Sequence, residues 1–317
     1  MTALPAPPAS TGVAPEPIDA ENYTAFPDLG LSDTALSFGF YDLKWYSIAY
    51  IAGIFLGYWY VLKLTKQPGA PMARRHVDDL VFWAAIGVIL GGRLGYVIFY
   101  NLPFYLTNGT TMFGVDLPPP FGILNLRDGG MSFHGGVIGV SLAIIIYSWK
   151  HKLNWLRVHD YIACCVPIGL GLGRLANFVN GELWGGVTTV PWAIRFVENV
   201  GGVAVLGPPR HPSQLYEAAL EGLVLFLILA WMFWKTKARY YPGMLVGAFI
   251  LGYGAFRFLI EYVREPDSHL TDFALASGLQ MGQWLSLPMI LGGAYLMATA
   301  KRRRVRVEPT FGTQSVA

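Results

Sequence analysis

Apolar runs long enough to cross a bilayer recur seven times along the chain, at about 46–63, 77–100, 133–149, 159–178, 215–234, 243–262 and 281–299. About 20 mostly apolar residues carry a helix through the hydrocarbon core. The pattern therefore predicts an all-α polytopic membrane protein with seven transmembrane helices. Basic residues follow alternate runs: Lys63, Lys66, Arg74 and Arg75 after the first, Lys150, Lys152 and Arg157 after the third. Lys235, Lys237 and Arg239 follow the fifth, and Lys301, Arg302, Arg303, Arg304 and Arg306 the seventh. Cytoplasmic loops collect Lys and Arg, which predicts the N-terminus outside and the C-terminus in the cytoplasm.

The segments flanking the spans read differently. Residues 1–42 are rich in Pro and Ala and predict a flexible extracytoplasmic tail. They contain no basic stretch leading into an apolar one, so no cleavable signal peptide is expected. Residues 43–300 form the seven-span domain, and 301–317 a basic tail facing anionic cytoplasmic lipid. Residues 183–211 are too polar and too punctuated by Gly and Pro to span. Their "PWAIRF" and "VGGVAVL" stretches predict short strands in a small extracytoplasmic cap between spans four and five. Composition supports the membrane reading, with 54% hydrophobic and only 14% charged residues against about a quarter charged in soluble domains. The net charge of +3 matters less than where the charges sit, and no nucleic-acid partner is expected. Cys164 and Cys165 are adjacent, a spacing that suits neither a disulfide framework nor a metal site; core packing is their expected role.

With that topology, the polar residues inside the spans fall in one layer. Spans two, four and six run outward, with Arg93, Arg174 and Arg257 near their outer ends and Glu261 one turn beyond Arg257. His134 opens span three from that side, Tyr46 opens span one, and "RHPSQLYE", with His211, Gln214, Tyr216 and Glu217, opens span five. The cytoplasmic half shows only loop charges. An ionised side chain at mid-membrane costs about 2.5–3.5 kcal/mol on insertion scales. A single arginine near an interface can snorkel as an anchor, but several charges from different spans at one depth argue for a shared polar site.

Guanidinium binds phosphate through a planar fork, and a phospholipid headgroup is the abundant anion at this depth. Gly171, Gly173 and Ala176 flank Arg174, and Gly252, Gly254 and Ala255 flank Arg257. Such small residues allow close helix approach and point both arginines into the bundle. Asn177, Asn180 and Glu182 in "GLGRLANFVNGELWGG" could orient Arg174 or a headgroup, or cap the helix end. His134 sits beside Gly135 and Gly136, which leave room for a ligand next to an imidazole able to accept a proton near neutral pH; an interfacial histidine with no chemistry is the alternative. The chain lacks H-E-x-x-H, G-x-S-x-G, Walker A and C-x-x-C sequences, so a zincin-type protease and a nucleophile elbow are unsupported. A lipid-modifying enzyme, a transporter and a lipid-binding protein without catalysis all remain open on the residues alone. A transporter would need polar groups reachable from both sides.

"GRLANFVNGELWG" (residues 173–185) fits the signature G-R-x-[GA]-N-F-x-N-x-E-x-x-G at every specified position. "GGRLGYVIFYN", "DGGMSFHGG", "RHPSQLYE" and "GYGAFRFLIEYVREPD" follow in the matching order. Over roughly residues 43–300 the chain resembles the bacterial prolipoprotein diacylglyceryl transferase family. It departs from the family pattern in its longer N-terminal tail and in Ser47, where the family has Gly. The resemblance implies transfer of the sn-1,2-diacylglyceryl group of phosphatidylglycerol to the lipobox cysteine of preprolipoprotein signal peptides. A thioether forms and sn-glycerol-1-phosphate leaves, at the outer face of the bacterial inner membrane, on a monomer, and the scheme implies no metal or soluble cofactor. By motif position, His134 is the candidate base or a headgroup-positioning residue, and Arg174 and Arg257 hold the phosphate. Tyr46 and Glu182 join the catalytic set, and Asn177, Asn180, Gly185, Tyr253, Glu261 and Arg93 complete the lipid site.

Overall fold

The computed structural model describes residues 22–39, 42–112, 114–126, 129–265 and 277–304, and it is mostly helical. The first three helices are α1 (Trp45–Thr65), α2 (Arg74–Tyr100) and the short α3 (Leu102–Thr107). α4 (Phe133–Lys150), α5 (Trp155–Ala163) and α6 (Val166–Val179) follow, the last two separated by a break at Cys164–Cys165. Then come α7 (Ser213–Lys235), α8 (Met244–Ile260) and α9 (Met281–Ala300). Each of the seven apolar runs lies on a helix. By length and apolarity five among the described residues can cross a membrane: α1, α2, α4, the combined Trp155–Val179 and α7. α8 is apolar but has 17 residues, and α9 carries Gln283, Ser286 and Pro288 in its first half.

Two kinds of contact hold the bundle. α2 and α4 approach backbone to backbone, because a Cβ on Gly91 would run into the carbonyl of Gly135 and one on Gly139 into that of Gly87. Small residues of this kind replace the hydrophobic drive that lipid removes. Large side chains instead collect at the end of the bundle that carries the basic connections. Tyr60, Leu64, Val77, Leu80, Ile144, Tyr147, Tyr161, Leu229, Phe233 and Leu245 form one buried cluster there. α1 buries side chains only from Gly57 onward, so its first half, which opens at Tyr46, lies outside that cluster.

The basic end also corrects the expectation that its half of the spans bears only loop charges. Arg157 and Asp160 belong to α5 and are buried, at 7% and 1% exposure. Asn154 caps α5, its side-chain oxygen accepting from Arg157 N at 3.2 Å, so the helix starts before the apolar run does. Asp160 accepts hydrogen bonds from Gly243 N (2.8 Å), Leu245 N (2.9 Å) and Val246 N (2.8 Å). It thereby satisfies the first turn of α8 in trans, where the helix dipole favours a negative charge. Cys164 and Cys165 are free and pack inside, with Cys165 Sγ donating to Ile162 O at 3.0 Å.

At the other end, β6 (Ile194–Val200) and β7 (Val203–Arg210) form an antiparallel hairpin that turns at Gly201–Gly202. These are the strands expected from "PWAIRF" and "VGGVAVL". The N-terminal region departs from expectation. Residues 24–44, read from composition as lying almost wholly in a flexible tail, carry β1 (Thr24–Ala25), a 3-10 turn (Phe26–Leu29), β2 (Thr34–Ser37) and β3 (Asp42–Lys44). β1 pairs in parallel with the start of β6, and β2 pairs with β3. The physical reason is local: one apolar side chain, Phe26, is buried against the cap, which average composition cannot register. Residues 1–21 and 305–317, with Arg306, lie outside the described residues. A small hairpin, β4 (Thr110–Met112) with β5 (Val115–Leu117), lies between α3 and α4.

A candidate anion site at the cap end

Three arginines from separate stretches converge on one carboxylate. Glu217, fully buried in the first turn of α7, has Arg174 Nε at 2.6 Å from Oε2 and an Arg257 terminal nitrogen at 3.8 Å from the same oxygen. Arg264, just beyond α8, donates to Glu217 Oε1 at 2.9 Å. Arg257 also pairs with Glu261 at 2.9 Å, one helical turn away. Small residues make this convergence possible, as Gly171 of α6 faces Gly222 of α7 at backbone distance.

The contacts are held by charge more than by aligned hydrogen bonds. Glu217 Oε2 and Glu261 Oε2 receive no aligned donor among the described residues. The three guanidiniums keep 17–21% of their side-chain surface exposed. A guanidinium has five N–H donors in a fixed fork, so each retains donors for an incoming anion. Below Glu217, α7 widens into a π-helical stretch, Ala218–Val224. Glu221 lies on it, fully buried, with neither carboxylate oxygen hydrogen-bonded among the described residues. Such π-turns occur often at functional sites. Tyr253 of α8 lies among the charges of Glu221, Arg257, Arg174 and Glu217.

The loop after α6 adds amides. Asn177 and Asn180 donate to Glu182 Oε1 at 2.9 and 3.1 Å, and Gln214 of α7 donates to the Glu182 carbonyl at 2.7 Å. Glu182 therefore organises the amides, while Glu217, not Glu182, pairs with Arg174. Gly185 is needed for close approach: a Cβ there would meet the Val263 carbonyl and His211. Tyr46 hydrogen-bonds Tyr50 at 3.2 Å and lies within the fields of Glu182 and Arg174. Outside the spans, His211 meets the Tyr216 hydroxyl at 3.2 Å, and burial pushes its imidazole below the usual value. Trp192 donates to the same hydroxyl at 2.6 Å, tying the cap to α7.

Arg174, Arg257, Glu261 and Tyr253, with Tyr46, Asn177, Asn180, Glu182 and Gly185 beside them, thus share one end of the α6–α7–α8 bundle. Two of the residues read from the sequence share no hydrogen bond or ion pair with these among the described residues. Arg93, 3% exposed, donates to the carbonyls of Ile123 (2.8 Å), Gly122 (3.0 Å), Gly130 (3.3 Å) and Gly129 and to the Tyr105 hydroxyl (3.2 Å). His134 is exposed at the start of α4, which packs on α2. Its ring meets only that of Phe133, and it makes no hydrogen bond or ion pair among the described residues. Sequence reading had placed Glu217 in the layer without assigning it a role, and it missed Glu221 and Arg264. The i, i+4 pair of glutamates inside an apolar span was the available signal.

The fold is that of a mostly helical membrane protein, with a cluster of arginines around one buried carboxylate at one end of its helices. The prolipoprotein diacylglyceryl transferase family model matches residues 33–299, and the chain belongs to that family. It is 50% identical over 282 residues to a protein from Erythrobacter litoralis, covering 89% of this chain and 94% of the relative. It is 50% identical over 289 residues to one from Zymomonas mobilis (88% and 94%) and 47% identical over 281 residues to one from Azospirillum brasilense (88% and 97%). All three carry the name phosphatidylglycerol–prolipoprotein diacylglyceryl transferase.

Proposed function

We propose that this protein transfers the diacylglyceryl group of phosphatidylglycerol to the lipobox cysteine of a preprolipoprotein. The substrates are those in the names of its relatives. The observation that carries the reading is the convergence of Arg174, Arg257 and Arg264 on buried Glu217 without a full set of aligned hydrogen bonds. A lipid phosphodiester is the anion that such a cluster at headgroup depth would receive. In this reading all seven apolar helices span the inner membrane of a bacterium, with the N-terminus and the site outside and the basic connections inside.

In the reaction, the thiol sulfur forms a bond to the terminal glycerol carbon of the diacylglyceryl group. The bond from that carbon to the phosphate oxygen breaks, and sn-glycerol-1-phosphate leaves with the electron pair. Arg174 and Arg257 stabilise the charge that grows on the leaving phosphate, with Arg264 alongside. Glu217 holds the three guanidiniums together before lipid arrives. Asn177 and Asn180, set by Glu182, meet the polar headgroup, and Tyr46 and Tyr253 border it. A free thiol has a pKa of about 8.5, so the step needs a proton acceptor; His134, exposed and unpartnered among the described residues, takes that role. Arg93 supports the site at a distance by fixing the chain between α3 and α4.

The test is release of glycerol phosphate by purified protein supplied with phosphatidylglycerol and a lipobox peptide, beside a Cys→Ser peptide and the Arg174→Ala variant. Release only with the cysteine peptide and intact Arg174 is the expected result. Folded protein that binds phosphatidylglycerol but releases nothing would leave a lipid-binding protein or transporter in its place.

A further inference from the structure

The N-terminal segment, which composition marked as a flexible tail, is tied at one end to the cap and to neighbours of Asn177, Asn180 and Glu182, and at the other to the residue before Tyr46. At one end, β1 adds to β6 through Thr24↔Ile194 and Ala25↔Arg195, and the Tyr23 hydroxyl donates to Thr189 O at 3.2 Å. Phe26 then drops into an aromatic nest, with ring centroids 5.9 Å from Phe178 and 5.3 Å from Phe196. Trp184 also stacks on Phe196 at 5.3 Å. Phe178 and Trp184 bracket Asn180 and Glu182, so this nest lies directly behind the loop that carries them. Phe26 also touches Gly181, where φ is +64° and a Cβ would come within 3.0 Å of the phenyl ring. At the other end, the Asp33 carbonyl accepts from Trp45 N at 3.0 Å and its carboxylate pairs with Lys44 at 2.6 Å. Those contacts fix the first residue of α1, next to Tyr46.

We propose that residues 22–37 form a strap that sets the Asn177–Trp184 loop relative to Tyr46, with Phe26 as the positioning residue. The strap rests on the reading above, in which the amides and Glu182 meet the lipid headgroup. Phe26 touches no reacting atom; it acts through Gly181 and Phe178. Small displacements of groups that orient a substrate are costly in rate or apparent affinity. The exposed Glu182–Leu183 loop is hydrogen-bonded to Asn177, Asn180, Ser213 and Gln214, and Phe26 adds apolar packing on its other neighbours, Phe178 and Gly181.

The experiment is steady-state kinetics with each substrate varied in turn, on wild type, Phe26→Ala, Phe26→Leu and Gly181→Ala. Phe26→Ala raises KM for phosphatidylglycerol about tenfold, while KM for the lipobox peptide stays within about twofold. Phe26→Leu, which keeps apolar volume in the nest, recovers most of that loss. Gly181→Ala, pressing on the ring from the opposite side, raises the same KM. The double variant Phe26→Ala/Gly181→Ala raises that KM by less than the product of the two single effects, because both act on the Phe26–Gly181 contact, while alanine at φ +64° adds backbone strain of its own. An unchanged phosphatidylglycerol KM in folded Phe26→Ala overturns the proposal, as does an equal rise in both KM values. If Phe26→Ala does not fold, an unchanged KM in Gly181→Ala overturns it equally. Wild-type protein without turnover would defeat the transferase reading instead, before any variant is compared.

Discussion

Arg93 and Arg174 sit in nearly the same local sequence, "GGRLG" and "GLGRLA", each near the same end of a long apolar helix. Their surroundings differ completely. Arg93 is 3% exposed and donates to four backbone carbonyls and a tyrosine hydroxyl, so its donors are already taken by the chain between α3 and α4. Arg174 keeps about a fifth of its side chain exposed and has one ion pair, to a carboxylate that two other arginines also approach. A cation whose donors are all satisfied by its own chain is structural. One held by charge alone, with donors to spare, is available to a ligand.

Alanine at each position separates the two roles most sharply. Arg93→Ala takes the donor from four carbonyls, that of buried Gly122 and those of Ile123, Gly129 and Gly130 nearer the surface, at about 1–3 kcal/mol each where water cannot reach them. The expected outcome is a loss of folded protein, read as a lowered thermal midpoint in detergent. Arg174→Ala should leave that midpoint nearly unchanged and lower turnover by about 100- to 1,000-fold, the usual scale for removing one group that stabilises developing charge. A large drop in the midpoint of Arg174→Ala would erase the contrast.

His134 tests whether an unpartnered polar group at the same end is functional. His134→Gln should lower kcat by about 100-fold or more with the thermal midpoint held. A kcat near wild type would reduce His134 to an interfacial residue. Lysine substitutions give a smaller effect. Arg174→Lys keeps the charge but loses the planar fork, and turnover should fall about tenfold with the thermal midpoint held. Arg93→Lys, with three donors for five acceptors, should lower the midpoint while turnover per folded molecule stays.

These contrasts also explain how much was legible beforehand. The positions of the helices and of the cap hairpin followed from apolar run length and Gly/Pro punctuation. The cluster around Arg174 and Arg257 followed from cations stranded in apolar helices. What the sequence could not reveal was the pairing. Nothing in "GGRLG" against "GLGRLA" distinguishes a guanidinium enclosed by carbonyls from one facing Glu217, because the distinguishing groups lie 29–37 residues away for Arg93 and 43 for Arg174. The strap was hidden for a related reason. One buried phenylalanine outweighs a Pro- and Ala-rich average, and only its distant partners, Phe178 and Phe196, show that it is buried. Glu221 was legible only as the second of two glutamates four apart in an apolar run; its burial with no hydrogen-bond partner among the described residues was not.

Asp160 provides the mildest test and extends the rule from cations to carboxylates. Like Glu217 it is buried inside a helix of the bundle, but its two oxygens accept three backbone N–H groups at the N-terminus of α8. Glu217 has only guanidiniums. Asp160→Asn keeps one acceptor oxygen and removes the charge that complements the helix dipole, which should cost about 1–2 kcal/mol. The thermal midpoint should fall modestly and turnover per folded molecule should not move, because the lost contacts lie at the basic end, away from the arginine cluster. Glu217→Gln should do the reverse, loosening Arg174 and Arg264 and lowering turnover with less effect on folding. If Asp160→Asn instead lowered turnover at an unchanged midpoint, satisfaction of hydrogen bonds would no longer separate structural charges from functional ones, and α8 would have to carry the effect from its first turn to Arg257 near its other end.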